Sequence, residues 1–253
     1  MRASWGILAA TSLLAALAAG CISAQPSEAL SVRAPESLRS VLDQVAAQFE
    51  EANPGITVTI RYEGPPRSRE QAVRSLDHAS SADAEYDVLI TEDASLMWQA
   101  VDQGLITGDP VMFARNAYVV ALPRGTSSTF DDVVSSAMAV STCSDELPCG
   151  HAAHEVARRA GLAIDDDLQE QTTTEVLDRV RDGTAEAGLV LATATHGTTE
   201  DITVLDLPFP ATTTNLAAPL AESPDLAAAQ RFVEHLRTDE ARDLLDHSGL
   251  AVG

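Results

Sequence analysis

Cys143, Cys149, His151 and His154 lie close together in the stretch CSDELPCGHAAH. Oxidised, the two cysteines close a short loop that would stabilise the fold by about 2.4 kcal/mol through chain entropy. Reduced, they could join the histidines at i, i+3 in a metal site, although this cysteine spacing is not a standard zinc pattern. The disulfide is the expected state and zinc the alternative. A second kind of chemistry sits where strands run into helices. Ser37 in APES and Thr172, Thr173 and Thr174 in QTTTE place hydroxyls at helix starts, and Pro148-Cys149-Gly150 opens another. The free N–H groups and dipole of a helix start attract anions. Each Ser or Thr could equally serve only as a helix cap.

Other chemistries lack their residues. All 16 cationic side chains are arginine, so a P-loop lysine, a Schiff-base lysine and a Ser-x-x-Lys pair are impossible. There is no Gly-x-Ser-x-Gly elbow, and the six histidines are scattered outside any nucleophile context. Catalytic residues and a resident cofactor or metal are therefore not expected. His196, just past a predicted strand, stands where ligand loops often lie. The runs Glu50-Glu51 and Asp165-Asp166-Asp167 read as solvated faces. With 38 Asp+Glu and a formal charge of −22, the chain is a poor partner for nucleic acid, whose binding relies on clustered cations.

Residues 1–20, MRASWGILAATSLLAALAAG, have the charged start, apolar stretch and small-residue end of a secretory signal. The apolar run is short of the ~20 residues that a membrane-spanning helix needs. Leu17-Ala18-Ala19-Gly20-Cys21 resembles a bacterial lipobox, in which Cys21 carries lipid and anchors the protein to the outer face of the cell membrane. Ala18 stands where leucine is usual. Residues 21–28 read as a tether, and the exported setting suits a Cys143–Cys149 disulfide.

The elements that position these residues follow from periodicity. Strands are predicted at 30–34, 56–62, 86–91, 117–122, 137–141, 187–192 and 202–205. Helices are predicted within 36–55, stopped by Asn53-Pro54-Gly55, to about 77 after the Pro/Arg loop 63–69, and at 95–103 with Met97, Trp98 and Val101 inward. Others are expected at 150–160 and 174–181, closed by Gly161 and Gly183, and at 225–237 and 239–247. Strands alternating with helices argue for parallel sheets of an α/β fold.

The segments Leu30–Val58, Tyr86–Ile106 (YDVLITEDASLMWQAVDQGLI) and Ala114–Gly125 together resemble the molybdate-binding proteins of bacterial ABC importers, which are type II extracellular solute-binding proteins. The likeness continues in Glu146–Leu162, Thr173–Ala194 and Glu222–Leu250. It implies an α/β fold of two lobes, each a mainly parallel sheet flanked by helices, hinged by crossover strands: 29–113 with 213–253, and 114–212. It further implies capture of a tetrahedral oxyanion by neutral donors in the cleft, by a monomer that serves an ABC permease and its ATPase subunits. Carried over by position, Ser37 supplies a hydroxyl, and Cys149 and Val176 supply backbone N–H groups. The family's Gly-Ser-Ser loop is Gly64-Pro65-Pro66 here, and its late-strand tyrosine is Leu191. Arg67, Ser68 and Thr174 are candidate substitutes for the donors lost at Pro66 and Leu191. Tungstate is not separable from molybdate, a different small anion remains an alternative, and so does a metal-sensing or chaperone lipoprotein using Cys143, Cys149, His151 and His154. The three tyrosines, Tyr62, Tyr86 and Tyr118, are too dispersed for a ferric site.

Overall fold

A computed structural model of the chain describes residues 28–64, 71, 73, 74, 76, 86–196 and 201–252, with the backbone alone at Pro148 and Cys149. The expected signal segment, Cys21, most of the tether, and Pro66, Arg67 and Ser68 lie outside these residues. So does the side chain of Cys149, and with it the expected disulfide.

The chain opens with β1 (Glu28–Pro35), a 3-10 turn (Glu36–Leu38), α1 (Arg39–Ala52) and β2 (Ile56–Glu63). After the segment around residues 71–76 come β3 (Val88–Thr91), α2 (Ala94–Asp102) and the long β4 (Val111–Pro123). Next are α3 (Phe130–Ser135), β5 (Ala139–Cys143), α4 (Pro148–Ala160), β6 (Ala163–Glu170) and α5 (Thr173–Asp182). The chain ends with β7 (Ala187–Leu191), α6 (Ala192–Thr195), β8 (Ile202–Asp206), β9 (Thr212–Pro219), α7 (Leu226–His235), α8 (Asp239–His247) and β10 (Leu250–Ala251).

The main strand order is β2-β1-β3-β9-β4-β7-β5-β6, with β8 and β10 also on β4. β1, β2 and β3 are parallel, as are β5, β6 and β7. β9 runs against the first set, and β4 runs against β9 and against β7 of the second. β4 changes partners along its length: residues 111–117 pair with β9 and residues 118–123 with β7 and β8. One strand thus joins two α/β halves.

Alternation along the strands splits each half into two apolar layers. Leu30, Val32 and Ala34 of β1, with Val88, Ile90 and Ala217, pack on α1, α7 and α8. The opposite face gives Leu89, Leu216 and Ala218 to Met97 and Ala100 of α2. In the second half, Tyr118, Val120, Leu122 and Leu189 face α4, while Val119, Ala121 and Val190 face Val176 and Val180 of α5. Phe49 and Phe232 meet edge to face, centroids 5.2 Å apart, a contact contributing about 0.5–1.5 kcal/mol beyond its area.

Some expectations need correction. Trp98 is not inward but 51% exposed, because Met97 and Ala100 form the buried stripe of α2. β6 is a strand that the Asp165-Asp166-Asp167 run concealed. It lies at the sheet edge, where charges discourage pairing with other chains. β9 escaped prediction because TTTNLAAP carries no alternation. The expected ends of α4 and α5 are present: Gly161 and Gly183 adopt φ +73° and +77°, a left-handed turn natural to glycine.

Candidate functional site in the cleft between the sheets

The carboxyl ends of both parallel sets are followed directly by turns and helix starts. In the first half these are residues 36–38 after β1 and Glu92-Asp93 after β3; in the second they are the starts of α4, α5 and α6. α6 packs against residues 36–38, so the two groups of strand ends meet. Crevices beyond strand carboxyl ends are where α/β sheets hold ligands.

Ser37 is exposed in the turn, and its hydroxyl donates to Glu92 Oε1 at 2.7 Å. It makes no side-chain cap; the turn begins without one. Burial holds the Glu92 carboxyl above the ordinary carboxylate range, and the Ser37 bond only partly offsets that effect. The neighbouring Asp93 has a structural task, since its carboxylate caps α2 by accepting from the amides of Ser95 and Leu96. Asp87, just before β3, is also structural. It is buried and accepts from the Ser31 amide at 2.7 Å and the Ser223 hydroxyl at 2.6 Å. Arg33, 5% exposed on β1, donates through Nε and Nη2 on one guanidinium edge to the two carboxylate oxygens of Glu63.

Across the cleft, α4 begins at Pro148 with no side-chain cap. Pro148 has no N–H and the Gly150 amide donates to the Leu147 carbonyl at 3.0 Å, so the first-turn amide that helix geometry leaves without an acceptor is that of Cys149. The close approach of this start to the end of β5 requires glycine: a Cβ on Gly150 would lie 1.8 Å from the Ser144 carbonyl oxygen. α5 starts with a capping box in which Thr172 Oγ1 accepts from the Glu175 amide and Glu175 bonds back to the Thr172 amide. The Val176 amide donates to the Thr172 carbonyl at 3.2 Å and its side chain is buried in the core. The α5 amides that helix geometry leaves without an intrahelical acceptor are therefore those of Thr173 and Thr174. Thr173 also approaches Cys143, Oγ1 to Sγ 3.9 Å.

Leu191 ends β7, and Tyr118 lies directly opposite it on β4. A phenol thus stands beside the position where the resemblance expects one. Asn116 on β4 and Thr193 on α6 bond reciprocally. Asn215 on β9 is fully buried, yet neither its amide oxygen nor its nitrogen has a partner. Glu92, Arg33, Asn116 and Asn215 were not singled out by the sequence reading. Glu92 lay inside the quoted segment Tyr86–Ile106, and only the three-dimensional pairing with Ser37 gives it meaning.

His196 is exposed at the end of α6. His151 reaches Asp145 at 3.5 Å, and both border an open hollow on the outer side of α4 together with His154, whose Nε2 is buried and without a partner. Among the described residues no three His, Cys, Asp or Glu side chains gather as metal ligands.

A family model described as bacterial extracellular solute-binding protein matches residues 30–251. The molybdate-binding protein ModA of Mycobacterium tuberculosis is 29% identical over 232 residues, 90% of this chain and 86% of that one. Among solved structures, the substrate-binding domain assigned to a molybdenum ABC transporter of Clostridium difficile superposes with TM-score 0.74 at 18% identity, covering 90% of this chain and all of that one. The periplasmic molybdate-binding protein of Azotobacter vinelandii gives TM-score 0.70 at 17% identity, covering 88% and 99%.

Proposed function

Since the chain belongs to the bacterial extracellular solute-binding proteins, a family of ligand carriers and not enzymes, we propose that it captures a tetrahedral oxyanion, molybdate or tungstate, for an ABC importer. The observation that carries this reading is the likeness to a mycobacterial molybdate-binding protein over 90% of the chain. The cleft supports it with neutral donors from both sides: the Ser37 hydroxyl from one half, and from the other the first-turn amides of α4, at Cys149, and of α5, at Thr174; Val176 is the position that the resemblance carries over, and its amide would have to leave the Thr172 carbonyl to serve. By the resemblance, Leu191 and Pro66 stand at positions where the family has donors, and Arg67 and Ser68 are the substitutes. The lobes are residues 29–113 with 213–253, and 114–212. Ligand favours the closed arrangement because only there do both sets of donors reach it. Cys21 carries the lipid anchor, Cys143 and Cys149 form a disulfide, and a monomer delivers its ligand to a permease with ATPase subunits.

A second reading, the same fold with a different small anion, is favoured by the Glu92 carboxyl on Ser37. Melting curves with molybdate, tungstate, sulfate and phosphate separate the two. Ligand at 100 times its dissociation constant stabilises by about 2.7 kcal/mol. A shift with molybdate and tungstate is expected, a shift with phosphate alone would favour the second reading, and no shift with any would refute both. The anchor is tested by the mass of the native N-terminus, which should begin at Cys21 and include acyl chains.

A further inference from the structure

The hydroxyl that should receive the anion is already engaged by a carboxyl group. Ser37 donates to Glu92 Oε1 at 2.7 Å, across the gap between the turn after β1 and the turn after β3. The other charged groups on the elements around this pair are mostly occupied. Glu36 bonds Arg39, Nε to Oε1 2.6 Å; Asp93 caps α2; Arg33 on β1 is held by Glu63. α6, which packs on residues 36–38, ends at exposed His196. Among the described residues no arginine pairs with Glu92. One position past the Thr91–Leu216 pair of the β3–β9 ladder stands Asn215, buried with both ends of its amide unpartnered.

An oxyanion brought to Ser37 would meet this carboxyl at hydrogen-bond range. If both were fully ionised, their repulsion in a site partly removed from water would oppose binding. A carboxylic acid in the same place would donate to the anion and release the Ser37 hydroxyl to do the same. We propose that Glu92 and the bound oxyanion share one proton, so that the cleft takes up a tetrahedral oxyanion together with a proton that either the anion or the solvent supplies. Hydrogenphosphate brings its own proton; molybdate, tungstate and sulfate near neutral pH must gain one from solution. The raised proton affinity of the partly buried Glu92 carboxyl favours this arrangement. This inference rests on the oxyanion reading above and names Glu92 as the residue that sets its selectivity.

Calorimetric titration in buffers of different ionisation enthalpy counts the protons taken up. At pH values above the Glu92 pKa, where the free carboxyl is ionised and the measurement is made, the wild-type protein should take up about one proton per molybdate and its association constant should fall about tenfold per pH unit. Hydrogenphosphate, if it binds, should take up none. Glu92→Gln should bind molybdate with no uptake and no pH slope, while His196→Gln should keep the wild-type uptake. The inference is overturned if wild type binds molybdate without proton uptake, if Glu92→Gln retains the uptake, or if only Glu92→Gln binds. Failure of both proteins to bind any of these anions would instead remove the oxyanion reading, and the proton with it.

Discussion

Asn116 and Thr193 hold each other by two hydrogen bonds, Asn116 Nδ2 donating to Thr193 Oγ1 at 2.7 Å and the Thr193 amide donating to Asn116 Oδ1 at 3.3 Å. Asn116 is fully buried on the part of β4 that pairs with β9 and β10, whereas Thr193 belongs to α6, just after β7. The pair therefore fastens the strand shared by the two sheets to the helix that faces the Ser37 turn.

Replacing Asn116 by alanine leaves the Thr193 amide and hydroxyl without that partner in a partly buried setting. Unfolding free energy should drop by about 1–3 kcal/mol. Urea denaturation of wild type and Asn116→Ala measures this, and equal midpoints at equal slope would show that the pair contributes nothing.

Gly150→Ala tests the geometry of the α4 start. The added Cβ would meet the Ser144 carbonyl oxygen at 1.8 Å, so either α4 or the end of β5 must move. Overpacking of this kind typically costs about 1–3 kcal/mol. The Cys149 amide moves with the helix, so oxyanion affinity should fall too. A variant with wild-type melting temperature and affinity would contradict this placement of the helix start.

Most of the fold was legible because its signals are local. Leu30, Val32 and Ala34 alternate, Leu38, Val41, Leu42, Val45 and Phe49 recur at helical spacing, and all of them are buried in one core. Gly161 and Gly183 punctuate helices as their φ > 0 conformation requires. β9 and β6 were hidden for opposite reasons: a partly apolar strand without alternation, and an edge strand whose charges looked like a solvated run. The site was harder to read. Ser37 was visible as a hydroxyl at a helix start, but its partner Glu92 is 55 residues away, and no local pattern reports such a pairing. Asn116 likewise takes its role from Thr193, 77 residues away.

Stability should carry a signature of His235. This residue is partly buried, with Nε2 3.2 Å from Gln48 Oε1 and its ring 5.4 Å from that of Phe49. Burial lowers its pKa below the ordinary 6.5, against a small opposing effect of Glu240. The unfolded chain thus binds the proton more readily than the folded one. The associated stability is present above pH 6.5 and is lost as pH falls from there through the folded pKa. In His235→Gln that part of the acid-side loss should disappear, as chemical denaturation across the range would show. An unchanged acid limb would contradict the assignment.

The central claim is that the cleft captures a tetrahedral oxyanion, and calorimetric titration of the wild-type mature protein with molybdate at neutral pH tests it most directly. We predict saturable binding at one molybdate per chain, weakened by roughly 1.5–3 kcal/mol in Ser37→Ala, the amount that a hydrogen bond to a charged group contributes. Absence of binding heat with molybdate, and equally with tungstate, sulfate and phosphate, would contradict it.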